Sequence, residues 1–197
     1  LSLLSKIVLV ACGLLVATAF AHPHVFGGGK VQALFDEKGF SGIKNHWVYD
    51  EIYSAAMVAS VDSDGDGKLS AKEGEQLKGA ILGELVNSNY FNYVQSGADF
   101  LKAGSIQKFK ASVANRRLVL DFVVPFSVPV GADYSMLVAV VADPTNYVQV
   151  TCDMEAAEVS APQSIDVEYF GDSLEGLSLF RAFLSHVEGL YLRFKKK

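Results

Sequence analysis

Residues 62–73, DSDGDGKLSAKE, set three aspartates into five positions and place a glutamate seven residues after the last of them. Like charges at that density repel, so no other stretch limits the fold as sharply. The run needs a cation among its carboxylates and a backbone that turns tightly around it. The pattern D-x-D-x-D-G-x5-E is complete. Asp62, Asp64 and Asp66 each present a carboxylate oxygen to one point, and Gly67 stands where a β-carbon would obstruct the turn. Lys68 offers its backbone carbonyl and points its charge outward, while Leu69 anchors the loop to a core. Ser70 holds a bridging water, and Glu73 closes the sphere with two oxygens. Hard oxygen donors in this number suit Ca²⁺, because Mg²⁺ demands a tighter octahedron.

Both flanks read as helices. Asp50 is a plausible N-cap for DEIYSAAMVASV, in which Ile52, Ala56 and Ala59, with Tyr53 and Met57 beside them, recur at helical spacing. Ser70 and Glu73 form a capping box for a second helix whose apolar side is Leu77, Ala80, Ile81 and Leu85. A helix, an acidic loop and a helix over residues 50–87 resemble an EF-hand. Sensor hands come in pairs, and the sequence holds no second loop of this form. Extracellular calcium modules bind at about 10⁻⁴ to 10⁻³ M, so a lone hand in an exported protein reads as structural.

The remainder is strand-rich. HVFGGGKVQALF and FSGIKNHWVY flank the turn DEKG, and IQKFKASVA and RLVLDFVVPF flank Asn115-Arg116. YSMLVAVVA, NYVQVTCDM and SIDVEYF are further strands. Residues 177–194 repeat apolar side chains at Leu177, Phe180, Phe183/Leu184, Val187, Leu190/Tyr191 and Phe194, the spacing of an amphipathic helix. The expected class is α+β: an antiparallel β-sandwich-like domain over 22–172, a helical hairpin inserted at 50–87, and a C-terminal helix with a basic tail over 173–197.

At the front, Lys6, the apolar run 7–20 and the triplet Ala19-Phe20-Ala21 have the anatomy of a signal peptide cleaved after residue 21. LVAC, ending at Cys12, also resembles a lipoprotein box, although the run stays apolar well beyond the cysteine. Removal of 1–21 shifts the formal charge from −5 to −6. An acidic chain without a basic patch argues against a nucleic-acid partner. Cys152 is then the one cysteine left, so the exported protein forms no internal disulfide.

Cleavage there exposes HPHVF, two of four histidines beside a free amine. Along an extended segment His22 and His24 point to one side, and imidazole suits Zn, Ni, Cu and Fe. Pro23 lacks the N–H that an amine-amide-amide-histidine copper motif requires. If the first hairpin turns near Glu37-Lys38, His24 falls within two residues of Asp50 or Glu51, which are then candidate third ligands. His46 pairs near Gly29 and reads as a satisfied strand histidine; His186 reads as part of a helix face.

AHPHVF after an apolar leader, HWVYDEIYS, DSDGDGKLS and ADPTNYV occur in that order. Together they resemble an uncharacterised bacterial periplasmic family linked to ABC-type transport systems for nickel, cobalt or zinc, over about His22 to Val150. The resemblance implies a periplasmic accessory or binding protein for a transition-metal permease of the inner membrane. Its histidine pair maps to His22 and His24, its aromatic-Asp-Glu element to Tyr49-Asp50-Glu51, and its acidic loop to Asp62–Glu73. An enzyme is not expected, because no nucleophile elbow, zinc-protease helix motif or phosphate loop is present. The alternative is a calcium-stabilised interaction module, whose docking stripe is Leu177/Phe180/Leu184/Val187/Tyr191.

Overall fold

A computed structural model describes residues 25–145, 147–174 and 187–197. β1 (Val25–Asp36) and β2 (Gly39–Tyr49) form an antiparallel hairpin in which Gly27 faces Tyr49. The chain then enters α1 (Glu51–Ala59) and α2 (Ala71–Leu82), followed by a 3-10 segment at Val86–Phe91. Nine further strands follow among the described residues: β3 (Asn92–Ser96), β4 (Asp99–Phe100), β5 (Gln107–Ala114), β6 (Arg117–Pro129), β7 (Ser135–Val141), β8 (Val148–Cys152), β9 (Glu158–Ser160), β10 (Ile165–Ser173) and β11 (Glu188–Lys196).

Two sheets result. One runs β5-β6-β2-β1-β8, with β9 also on β1; the other runs β10-β11-β7-β3-β4. Period-two burial brings their inner faces together. Val31, Ala33, Trp47, Leu120 and Phe122 of the first sheet share one apolar cluster with Val94, Leu137, Leu190, Leu192 and Phe194 of the second. Trp47 sits at the centre, edge-on to Phe122 at 4.8 Å and stacked on Phe91 at 6.4 Å. The two helices lie between β2 and β3 in the chain, and α2 adds Leu77, Ile81 and Leu82 to the same core. The fold is mostly β with a helical part, and so α+β.

Three expectations need correction. The sheet is mixed, because β8 and β9 both pair with β1 in parallel. The chain crosses from β7 in the other sheet and enters beside β1 running in β1's own direction. The C-terminal helix does not hold over residues 188–196, which are β11, bonded to β10 on one side and β7 on the other. Leu190, Leu192 and Phe194 point inward while Tyr191, Arg193 and Lys195 point outward, so the stretch satisfies a period of two as well as a period near 3.6. Both sides of the backbone find partners as a strand, and that decides it. The rest of that helix expectation, residues 175–186 with Leu177, Phe180, Phe183, Leu184 and His186, lies outside the described residues. Finally, α1 buries Ser54 and half-buries Tyr53 and Met57, whereas Ile52 is 86% exposed. The Ser54 hydroxyl accepts the Leu118 N–H at 2.8 Å, so a polar contact rather than the apolar stripe sets the helix's orientation.

Candidate functional site

Asp50 caps α1 as the sequence indicates, with its Oδ1 accepting the Tyr53 N–H at 2.8 Å. Its Oδ2 accepts the Phe26 N–H at 3.1 Å, and its own N–H donates to the Phe26 carbonyl at 2.8 Å. One carboxylate therefore joins the start of β1 to the start of α1. Burial opposes its ionisation, but the N–H groups of Tyr53, Phe26 and Ile52 outweigh that and hold its pKa below the ordinary aspartate value. Glu51 turns away to an exposed ion pair with Arg116 at 3.0 Å. The hairpin register sets Asp50 across from Phe26, two residues beyond His24. His22 and His24 themselves lie outside the described residues.

At the far end of α1 the Asp62 N–H donates to the Val58 carbonyl at 2.9 Å, so the backbone of the first acidic residue is bonded to the helix's last turn. Carboxylate oxygens of Asp62, Asp64 and Asp66 lie within 4.8 Å of one another. Oxygens about 2.3 to 2.6 Å from a shared Ca²⁺ stand at most about 5 Å apart, so this spacing fits such an ion. The backbone shapes the loop through N–H groups: Gly65 and Gly67 donate to Asp62 at 2.8 and 2.9 Å, and Lys68 donates to Asp66 at 2.8 Å. Gly67 takes φ +71°, the left-handed conformation for which glycine is suited. The Asp66 N–H favours the charge of Asp64, but the Asp66 carboxylate, burial, Asp62 and Glu73 together raise the Asp64 pKa. Crowding of negative charge is thus built into the loop.

Glu73 occupies a different place from its three partners. Its Oε1 accepts the Ser63 N–H and hydroxyl, both at 3.0 Å, and its Oε2 accepts the Ser70 N–H and hydroxyl at 2.9 and 2.8 Å. Four donors, led by the Ser70 N–H, lower its pKa to about 2. The capping box is complete, with the Glu73 N–H returning to the Ser70 hydroxyl at 3.4 Å. Leu69 packs against the core as expected, and Lys68 is exposed.

Ser63 was not singled out in the sequence, although a serine at the loop's second position is the visible signal. Asp143 is the other residue that sequence reasoning missed. Its carboxylate accepts N–H groups from Thr145, Tyr147 and Val148 at 2.8, 3.1 and 3.0 Å, pinning the turn whose Tyr147 carbonyl receives the Val25 N–H. The Asp-Pro pair opening ADPTNYV is the clue. His46 is satisfied, with Nδ1 2.8 Å from Asp121 Oδ1, and it pairs with Lys30, next to Gly29. Cys152 is unpaired, and burial pushes its thiol up to about 12. Among the described residues no second group of three acidic, histidine or cysteine side chains converges, and no helix is long and apolar enough to cross a membrane.

A family of proteins of unknown function, DUF1007, matches residues 7–169. The chain belongs to this family. The match takes in the acidic loop, α1, α2 and the strands up to β10, and leaves β11 outside. An uncharacterized 15.5 kDa protein in the trpE 3' region of Spirochaeta aurantia is 34% identical over 83 residues, 42% of this chain. The chain spans 59% of that relative's length.

Proposed function

We propose that the protein is a periplasmic accessory or binding protein for a transition-metal transport system, stiffened by a structural Ca²⁺ in the 62–73 loop. The convergence of Asp62, Asp64 and Asp66 within 4.8 Å, at the junction of two capped helices, carries the calcium part of this reading. Asp62, Asp64, Asp66 and Glu73, with the Lys68 carbonyl and a water on Ser70, are the residues that would hold the ion. Neutralised carboxylates would relieve the repulsion within the loop and fix the angle between α1 and α2.

The transition-metal part rests on His22 and His24, which the chain presents just before β1. In this reading they bind Zn²⁺, Ni²⁺ or Co²⁺ weakly enough to pass it to an inner-membrane permease. Asp50 and Glu51 serve better as support than as ligands, given the bonds each already makes. Isothermal titration on correctly processed protein tests both parts. Zinc and nickel affinities that survive His22→Ala with His24→Ala would remove the transition-metal role. Calcium affinity that survives Asp62→Asn with Asp64→Asn would remove the calcium role.

One observation favours a second reading, a calcium-stabilised interaction module. The outer face of the β10-β11-β7-β3 sheet carries a groove of about 590 Å³ lined by Met136, Val138, Phe170 and Tyr191. Met136 and Phe170 are 71% and 59% exposed there. Loss of a membrane partner in pull-downs with Met136→Ser and Phe170→Ser, at unchanged metal affinity, would favour this reading.

A further inference from the structure

We propose that α1 couples the acidic loop to the first strand, so that a divalent cation held at 62–73 keeps the Asp50–Phe26 clamp closed. The inference rests on the calcium reading above and adds to it a regulated element: the backbone that leads directly into the histidine segment.

Helix formation is cooperative, and an isolated helix of fewer than about 12 residues is marginal in water. α1 has nine residues and fully buries one side chain, Ser54. Its remaining anchors are the half-buried Tyr53, Met57 and Val58 and the exposed Glu51–Arg116 ion pair. Such a helix depends on what holds its ends.

The ends are unequal. Asp50 and Glu51 lie at the N-terminus, where negative charge is favourable. At the C-terminus the last turn has no basic residue, and Asp62, Asp64 and Asp66 follow at once. Three carboxylates against the negative end of the helix dipole oppose its final turn. A cation among them reverses that sign. The Asp62 N–H bond to Val58 then makes the loop and the last turn one unit.

Fraying that starts at the C-terminus of so short a helix reaches the Tyr53 N–H within two turns. That N–H holds Oδ1 of Asp50, and the other oxygen of the same carboxylate holds the Phe26 N–H. Phe26 is thereby sensitive to events at Asp62, about 13 Å of helix away. Coupling of this kind needs no displacement of α1, only a change in how often it opens. It is reciprocal: weakening the clamp must weaken the cation site by the same factor.

The test is amide hydrogen exchange on the full processed chain, with EGTA or with about 2 mM calcium chloride, above the range expected of such a loop. Calorimetry on the same samples reports whether calcium binds. The expected result is exchange at Phe26 and Tyr53 slowed about tenfold or more, with smaller slowing at Leu120 and Leu192 in the two sheet centres. Equal slowing at all four amides, or none at Phe26 while calcium is bound, overturns the coupling and leaves the calcium reading standing. No calcium binding at all overturns both. In the reciprocal arm, Asp50→Ala, a helix length from the loop, is expected to bind calcium about tenfold more weakly. An unchanged affinity in that variant overturns the coupling.

Discussion

Replacing Phe194 with alanine tests the assignment of the C-terminus to the core. Phe194 is 0% exposed and meets Phe35 edge-on at 5.0 Å across the two sheets. Its strand is bonded on both sides, by β10 and by β7, so the backbone has little freedom to close the vacated space. Phenylalanine-to-alanine changes at such sites cost about 3 to 5 kcal/mol. Loss of the aromatic pair, about 0.5 to 1.5 kcal/mol of that interaction, places this site toward the upper end. Domains of this size have about 5 to 15 kcal/mol in all, so the variant is expected to fold with a much lower urea midpoint. The chain's one tryptophan, Trp47, is 0% exposed in the same core and reports the transition by fluorescence. Arg193→Ala is the control: it faces outward, over the Tyr134 ring at 3.7 Å and 3.7 Å from Glu168, and should cost about 1 kcal/mol or less. A Phe194→Ala loss below about 1 kcal/mol, or one matching the Arg193 control, would refute the packing argument.

Three further outcomes are expected. Calcium at about a hundred times its dissociation constant contributes about 2.7 kcal/mol, which should raise the melting temperature by about 5 to 10 °C; Asp62→Asn with Asp64→Asn should abolish the shift in scanning fluorimetry. In EGTA, Asp50 and Glu73 both have folded pKa values below their unfolded ones, Glu73 at about 2. Their contributions are therefore complete above about pH 5 and are lost as the pH falls toward about 2. Helical circular dichroism should fade across that window, and Ser63→Ala with Ser70→Ala should move the loss to higher pH. Cys152, partly exposed but with its thiol raised to about 12, should react with maleimide at neutral pH far more slowly than a cysteine of the unfolded chain; equal rates would contradict that shift.

The parts of the fold legible in the sequence were those with a local cause. The hairpin register follows from the turn at residues 36–39 to within the one-residue shift at Leu34/Phe35, and the capping box needs only Ser70 and Glu73. The Asn115-Arg116 turn shows φ of +51° and +62°, as a tight two-residue hairpin requires. Parallel pairing of β8 and β9 with β1 was not legible, because it depends on which sheet the chain has just left. β11 was missed for a different reason. Leu190, Leu192 and Phe194 fit either period, and only the free edges of β10 and β7 choose between them.

Asp50 shows how the same ambiguity reaches the site. Sequence register placed it near the histidines; among the described residues it lies across from Phe26. Proximity alone made it look like a ligand. Its carboxylate is instead already divided between Tyr53 and Phe26, with hydrogen bonds that stabilise its charge. A third metal ligand would have to compete with both N–H groups and would loosen α1 as it bound. That competition separates the two roles experimentally. As a ligand, Asp50→Asn should cost zinc or nickel affinity and leave strand entry unaltered. As a clamp, Asp50→Asn retains one acceptor and should preserve much of the Phe26 protection that Asp50→Ala loses, with metal affinity following the protection rather than the charge.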